Sequence, residues 1–326
     1  MTEGAPLRLS HPADDTGSAE FTGAMVRLFA EHPSGVPFAA IEEFGWFELA
    51  AESPGLAVSA MFSAQGAALG AGATLEALVA HVARDFDGTP DWRDAAVLVE
   101  AGDRGFALTF GERMPSVLVA PSPSGGGMLV LGSARLDPVR SIDDSVGLVE
   151  VAERGEGRPI DGEADLGSLT AIGLALQLGG LSERLLGIGR DYALLREQFG
   201  RPIGAFQAVQ HLLADAAVGV AAAESAGTAA VRALEDPARL RLAALVAAGA
   251  ASRAATTTTR AVQQVLGAIG YTREHEFHRF LYRARLLCRL LDSATLDSRI
   301  AEAALAAGVA PVEPTSAWFE QDEGAA

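Results

Sequence analysis

The sequence has a single cysteine among its 326 residues and no lysine at all. Cys288 alone cannot form a disulfide within the chain, and disulfides are characteristic of oxidising compartments. The N-terminus is acidic with scattered Ser and Thr, and it lacks the basic and apolar regions of a secretory signal. Together these absences predict a cytoplasmic protein.

Long apolar runs are also missing. The longest, Leu169 to Leu181, is interrupted by Gln177 and is shorter than the roughly 20 residues that a membrane-spanning helix needs. We therefore expect no membrane span. With 49% hydrophobic and 21% charged residues, the chain has ample material for a buried core, and its length favours two or three structural units.

Positive charge is scarce as well. The formal net charge is −17, whereas nucleic-acid binding depends on clustered Lys and Arg that attract a phosphate backbone. Nucleic acid is therefore not an expected partner. Because every basic residue is an arginine, any bound phosphate must be held by Arg side chains, backbone amides or helix ends.

The hydrophobic periodicity changes along the chain. Apolar residues at helical spacing, such as Phe21, Met25 and Leu28, predict an N-terminal helical domain over residues 1–90. Residues 91–160 instead contain brief β-type runs separated by Gly, Pro and Asp clusters. This pattern predicts a middle β domain in the form of a small antiparallel barrel or sandwich.

The C-terminal half returns to helical periodicity. Residues 161–309 contain four long helical segments, punctuated at 200–202, 236–237 and 267–271, which predicts a C-terminal four-helix bundle. Residues 310–326, with two prolines and an acidic end, are expected to form a flexible tail. The expected fold class is thus mainly α with a central small β domain.

Three familiar site signatures are incomplete in this chain. His275 and His278 flank Glu276, but the spacing is not the H-E-x-x-H of zinc proteases, so no metal site is expected. Gly125 to Gly127 lie between two β runs and open no helix, which favours a turn over a phosphate-binding loop. The sequence has no G-x-S-x-G elbow, so serine-hydrolase chemistry has no support.

Two segments of the C-terminal half carry extended motifs. Residues 192–211 contain R-E-Q-F-G-R-P-I and F-Q-A-V-Q-H, and residues 264–275 read Q-V-L-G-A-I-G-Y-T-R-E-H. These are similar to R-x-x-F-G-x-P-I, F-Q-x-x-Q-H and Q-x-x-G-G-x-G-[aromatic]-T-x-E-H of the acyl-CoA dehydrogenase family. The chain resembles this family over most of its length, and most strongly from residue 166 onward.

The resemblance implies an acyl-CoA dehydrogenase-like fold, FAD as cofactor and an acyl-CoA as substrate. In the family these motifs reach across a dimer interface to the ADP half of the neighbouring subunit's FAD. Arginine can neutralise the diphosphate, phenylalanine can pack beside adenine, and glutamine can bond to ribose or phosphate oxygens. Glycine lets backbone amides approach the anionic oxygens. The matching positions here are Arg196, Phe199, Gln207, Gln264, Gly267 and Gly270.

The family's catalytic glutamate has no counterpart at its two known positions. That base removes the α-proton of the substrate while the β-hydrogen leaves as hydride to the flavin. The resemblance places the usual position at Leu291 and the minority position at Thr170, and neither is acidic. Asp292 is one residue away, a rotation of about 100° on a helix, and is a weak candidate. Glu163 and Asp165 are expected instead at the N-terminus of the first bundle helix.

The flavin-ring side of the family's site also differs. Where the family typically has T-E-P-G-x-G-S-D in its β domain, this chain has V-E-A-G-D-R-G-F over residues 99–106, without the Thr and Ser hydroxyls. The ADP-side motifs are therefore retained while the ring-side and base positions are changed. That combination is expected of one subunit of a heteromer whose partner supplies the glutamate, and the chain resembles the short subunits of actinobacterial α2β2 acyl-CoA dehydrogenases, some of which act on steroid side chains.

Three functional interpretations remain open from the sequence. The first is the FAD-cradling subunit of a heteromeric acyl-CoA dehydrogenase acting in lipid or steroid catabolism. The second is a self-sufficient homo-oligomer whose base is Asp292 or another acid. The third is a flavin-free assembly scaffold. The resemblance adds an electron-transferring flavoprotein as an expected electron acceptor for the first two.

Overall fold

The computed structural model describes five stretches of the chain, namely residues 15–110, 114–121, 128–132, 134–162 and 164–309, without the side chains of residues 15–18. The turn expected at Gly125 to Gly127, the helix-terminal role of Glu163 and the tail expected over 310–326 lie outside these residues. Among the described residues, no helix combines the length and the hydrophobicity that crossing a membrane requires.

From residue 15 onward, the described N-terminal part contains five helices: α1 (Asp15–Glu31), α2 (Phe38–Glu43), α3 (Trp46–Glu52), α4 (Pro54–Ala67) and α5 (Thr74–Val82). Short helices such as α2 and α3 gain their stability from burial rather than from intrinsic propensity. Trp46 is fully buried, and its indole N–H donates to the carbonyl of Ala57, 3.0 Å away. This bond fixes α3 against α4.

Seven strands form one sheet: β1 (Ala95–Ala101), β2 (Arg104–Thr109), β3 (Val117–Pro121), β4 (Met128–Leu131), β5 (Arg135–Val139), β6 (Gly147–Glu153) and β7 (Gly157–Ile160). Their spatial order is β5-β6-β2-β1-β3-β4-β7. The expectation of an antiparallel arrangement is wrong for one pair, because β1 and β3 run parallel. The hairpin partner β2 already occupies one edge of β1, so β3 pairs with the other edge, where the Ser116 amide donates to the Asp94 carbonyl at 3.1 Å.

The C-terminal part contains α6 (Leu166–Leu195), a short hairpin of β8 (Glu197–Gln198) and β9 (Arg201–Pro202), α7 (Gln207–Arg232), α8 (Pro237–Leu266), α9 (Phe277–Leu290) and α10 (Leu296–Ala306). Asp165 caps α6 as expected, accepting from the Ser168 amide at 3.0 Å. The predicted fourth long segment is divided into α9 and α10. Asp292 adopts a left-handed conformation, with φ of 50°, at the break.

The N-terminal helices approach the bundle at backbone contact distance. A Cβ atom placed on Gly66 of α4 would lie 1.9 Å from the carbonyl oxygen of Gln177, and one placed on Gly180 of α6 would lie 2.1 Å from that of Ser63. Any side chain at either position would collide with backbone atoms that cannot move independently. The two glycines therefore set the spacing between α4 and α6.

A buried ion pair joins all three parts of the fold. Arg283 of α9 is 1% exposed, and its guanidinium donates to the carboxylate of Asp143 in the loop between β5 and β6. The same guanidinium donates to the carbonyls of Gly70 (2.6 Å) and Leu69 (3.3 Å), which connect α4 and α5, and to the Ser145 hydroxyl (3.0 Å). One side chain thus ties the bundle to both the sheet and the N-terminal helices.

Candidate functional site

An exposed aromatic ring marks the tip of the hairpin that follows α6. Phe199 is 92% exposed, and it occupies the hairpin turn with Gly200, both at positive φ (52° and 77°). Contacts with Phe206 stabilise the hairpin. The Arg201 guanidinium stacks 4.3 Å from the centroid of the Phe206 ring, and the centroids of the Phe206 and Phe199 rings are 6.2 Å apart. The turn therefore holds this large apolar ring outward, where a ligand or a partner chain can contact it.

Arg196 and Gln207 flank this hairpin at the ends of two helices. Arg196 ends α6, where its amide donates to the Tyr192 carbonyl at 2.9 Å and its carbonyl accepts from the Ile203 amide at 2.8 Å. The backbone is therefore fixed while the side chain is exposed, and no carboxylate in the described part of the chain forms an ion pair with it. Gln207 is the exposed first residue of α7, at the positive end of that helix. The pair can offer charge and hydrogen bonds to an anion.

The second motif segment forms the end of α8 and a short 3-10 turn, Gly267–Tyr271. Gln264 is exposed, and Gly267 has φ of 62° with open space where a Cβ atom would be. Gly270 is different, since it is buried and a Cβ there would lie 3.1 Å from that of Leu266. Close packing against Leu266 explains why residue 270 is a glycine. At Gly267, by contrast, the space beside the backbone is empty, so a ligand can approach it.

The antiparallel packing of α6, α7 and α8 brings the two motif segments to one end of the bundle. A Cβ atom on Gly189 of α6 would lie 2.8 Å from a methyl of Val262 and 3.4 Å from one of Leu213, so the three helices meet there. The C-terminal ends of α6 and α8 and the N-terminal end of α7 follow within a few turns. The candidate residues at this end, apart from Gly270, form an open surface.

The two family positions for the catalytic base line one small cavity between α6, α8, α9, α10 and the sheet. Thr170 and Leu291 both line this cavity, whose volume is about 90 Å³. The Thr170 hydroxyl donates to the carbonyl of Gly167 at 3.0 Å, and Leu291 is buried. The structure thus brings the two positions together, as the family's chemistry requires, but with no carboxylate at either.

Two charged side chains that line this cavity both contact other groups of the same chain. Glu100 lines it and forms an ion pair with Arg154 at 2.5 Å, with both side chains about half exposed. Arg299 also lines it and contacts the Leu291 carbonyl at 3.5 Å. Sequence reasoning missed both residues, and no local pattern could have found them, because their relation to the cavity depends on long-range packing.

Asp292 has a structural role beside this cavity and is not among the residues that line it. Its carboxylate accepts from the Thr295 hydroxyl at 2.7 Å and lies 3.4 Å from the Arg289 guanidinium. These contacts hold the break between α9 and α10. A helix-end role therefore explains the residue without catalysis.

The segment that replaces the family's flavin-ring motif is a tight β-hairpin. Strands β1 and β2 are joined by the two residues Gly102 and Asp103, with Ala101 paired directly to Arg104. Arg104 donates twice to the Glu150 carboxylate, at 2.5 Å each, and the hydrogen bond from Arg104 lowers the pKa of Glu150. Arg104 of this hairpin is thus paired within the sheet.

Comparison with known proteins identifies what the bundle helices resemble. Residues 168–289 match the family model described as acyl-CoA dehydrogenase, C-terminal domain. The chain is 42% identical over 118 residues to acyl-CoA dehydrogenase FadE34 of Mycobacterium tuberculosis, covering 36% of this chain and 17% of that protein. Over residues 168–289 the chain is thus similar to the C-terminal domain of acyl-CoA dehydrogenases. It is also 36% identical over 156 residues to acyl-CoA dehydrogenase IpdE2 of the same organism, covering 48% of this chain and 47% of that one.

The acyl-CoA dehydrogenase fold extends beyond the matched helices. A chain of the ChsE4-ChsE5 complex from Mycobacterium tuberculosis superposes with a TM-score of 0.68 at 21% identity, covering 92% of this chain and 99% of that one. This likeness confirms the expected order of helical, β and helical parts. The chain spans less than half the length of the two curated relatives.

The two regions that carry the family's motifs therefore differ in this chain. The bundle end presents Arg196, Phe199, Gln207 and Gln264 outward on fixed backbone. The cavity at the base positions is small and has apolar or internally bonded groups where an acid is needed. Among the described residues there is also no cluster of three or more His, Cys, Asp or Glu side chains that could hold a metal ion.

Proposed function

We propose that this chain is the FAD-cradling subunit of a heteromeric acyl-CoA dehydrogenase, and that α,β-desaturation of a CoA thioester takes place at a site whose glutamate comes from a partner chain. One observation carries the proposal. The two family positions for the base, Thr170 and Leu291, meet at one cavity, and neither can accept the α-proton.

The two family positions at that cavity offer no proton acceptor of useful strength. A general base needs a pKa near the working pH and must lie within hydrogen-bond reach of the proton. The Thr170 hydroxyl is already donated to the Gly167 carbonyl, and leucine has no titratable group. In addition, a volume of about 90 Å³ is well below the ~300 Å³ at which pockets for cofactors and drug-sized ligands begin.

The bundle end has the groups that an adenine dinucleotide needs. Acyl-CoA dehydrogenases are FAD-dependent, and FAD supplies the hydride acceptor when it is bound. In this chain Arg196 would pair with the diphosphate, Phe199 would contact the adenine side, and Gln207 and Gln264 would bond to ribose or phosphate oxygens. Because these groups project from the surface, the remainder of the cofactor's enclosure must come from a second chain.

The similarity to a chain of the ChsE4-ChsE5 complex supports a heteromer, since that structure is a complex of two different chains. We extend this arrangement to the present chain, with an acyl-CoA of lipid or steroid catabolism as the substrate class. An electron-transferring flavoprotein is the proposed electron acceptor of the reduced flavin.

The visible absorbance spectrum and the native mass test the proposal. The chain purified alone is expected to be colourless, and co-expression with a glutamate-bearing acyl-CoA dehydrogenase encoded beside it is expected to give a yellow complex that acyl-CoA bleaches without oxygen. A yellow homo-oligomer of this chain alone that acyl-CoA bleaches would instead establish the self-sufficient enzyme.

Replacement of Asp292 by asparagine separates the heteromer from the self-sufficient enzyme. Asparagine keeps an acceptor for the Thr295 hydroxyl, so we expect kcat of the complex to change by less than about twofold, because no transition-state interaction is removed. Glu100→Gln, which neutralises the acid at the cavity, is the companion variant with the same expectation. A loss of about 100-fold or more in kcat for either variant would identify that residue as the base.

A further inference from the structure

A second, larger cavity lies between the N-terminal helices and the bundle, where α1, α4, α6 and α7 meet. Its volume is about 360 Å³, which is within the range of small-molecule sites. Neither Thr170 nor Leu291 lines it, and neither do the candidate cofactor residues. Its walls include Ser59, Ser63, Gly179, Glu183, Glu224 and Thr228.

The charge of this cavity has one sign. Glu183 of α6 and Glu224 of α7 line the cavity, and none of the described lining residues is basic. Both glutamates are exposed at the mouth. Although the side chain of Glu183 reaches solvent, the protein around its carboxyl raises the pKa, first by partly shielding it from water and then through the negative charge of Glu224. No basic side chain among the described lining residues compensates these two carboxylates.

The inner wall is made of small residues. Gly179 faces open space, since no heavy atom lies within 4 Å of where its Cβ would be. Ser59, Ser63 and Thr228 add hydroxyl groups, and Leu176 and Val220 add apolar surface. A guest in this cavity would thus meet two carboxylates at the mouth and a mixed hydroxyl and hydrocarbon lining inside.

We propose that this cavity binds a small organic cation, an amine whose ammonium group lies between Glu183 and Glu224 and whose hydrocarbon part enters the space beside Gly179. The ammonium would relieve the repulsion between the two carboxylates and would satisfy them with charge-assisted hydrogen bonds. The hydrocarbon part would cover the apolar wall. This site is separate from the proposed dehydrogenase function and does not depend on FAD.

Titration calorimetry of the full chain with n-hexylammonium chloride tests the proposal, with sodium hexanoate and 1-hexanol as matched probes that lack the positive charge. Hexylammonium is expected to bind with a stoichiometry of one and, at saturation, to raise the unfolding midpoint by roughly 2–4 °C. Hexanoate and hexanol are expected to do neither. Equal binding of hexanol, or no binding of hexylammonium, overturns the proposal.

Two sets of variants locate the binding. Glu183→Gln and Glu224→Gln remove one carboxylate each and should weaken hexylammonium binding about tenfold, while Glu274→Gln, an exposed acid elsewhere, should leave it unchanged. Gly179→Leu fills the cavity and should abolish binding. Gly187→Leu is its control, because Gly187 lies on the same helix, also faces open space and does not line the cavity. Binding that survives Gly179→Leu, or that Gly187→Leu also abolishes, contradicts the assignment.

Discussion

Arg196→Ala is expected to weaken FAD binding by the assembled complex by about 10- to 100-fold, as measured by flavin release on dilution. The magnitude follows from the loss of a charge-assisted contact to the diphosphate, which contributes roughly 1.5–3 kcal/mol. The side chain of Arg196 is exposed and free of ion pairs among the described residues, so its removal should leave the free energy of unfolding of the chain nearly unchanged.

Arg190→Ala is the matched control for this measurement. Arg190 lies less than two turns earlier on α6, and its guanidinium is already engaged with the Asp191 carboxylate at 3.0 Å. We expect its removal to leave FAD retention unchanged, because surface ion pairs of this kind contribute little. If Arg196→Ala also leaves colour and activity unchanged, the flavin-free scaffold becomes the better interpretation.

Arg283→Met is expected to lower the free energy of unfolding by roughly 3–5 kcal/mol, measured by urea denaturation. The substitution leaves the carboxylate of Asp143 buried without its cation and removes the donor to the carbonyls of Leu69 and Gly70. Methionine retains much of the side-chain volume. The decrease in the free energy of unfolding therefore comes from the lost polar interactions of Arg283 and not from a new cavity.

The double variant Arg283→Met, Asp143→Leu is the control. Replacing both charged partners by apolar groups removes the uncompensated carboxylate, so the double variant should recover part of the stability that the single variant loses. A double variant that loses the sum of both single losses would contradict the pairing.

The same ion pair predicts how stability depends on pH. Burial acts to raise the pKa of Asp143, but the charge of Arg283 and the hydrogen bonds from Ser145 and Arg283 outweigh it and lower the pKa overall. A carboxyl with a lowered folded-state pKa stabilises the fold above its unfolded pKa, and that contribution is lost as the pH falls through the folded value. Acidification below the ordinary range of aspartate should therefore destabilise the natural chain more than the Arg283→Met variant.

The sequence by itself predicted the order of the parts and the family. Helical periodicity, Gly and Pro breaks and the two motif segments are local features, and each is readable because secondary structure repeats over a few residues. The same locality explains the errors. The β-type runs between 95 and 160 predicted the small β domain but did not include β5 or β7, and they could not show that β3 pairs with the far edge of β1. Periodicity also merged α9 and α10, because a single left-handed residue at 292 leaves little trace in the pattern.

The tertiary structure decided which distant residues meet. Arg283 and Asp143 are 140 positions apart, and no local signal links them. Thr170 and Leu291 share a cavity only because α6 and α9 pack together, and Glu183 and Glu224 share another only because α6 lies against α7. The physical reason is general: the sequence determines which face of each helix is apolar, but the partner of that face, and the polar groups trapped beside it, depend on how the faces pack together in three dimensions.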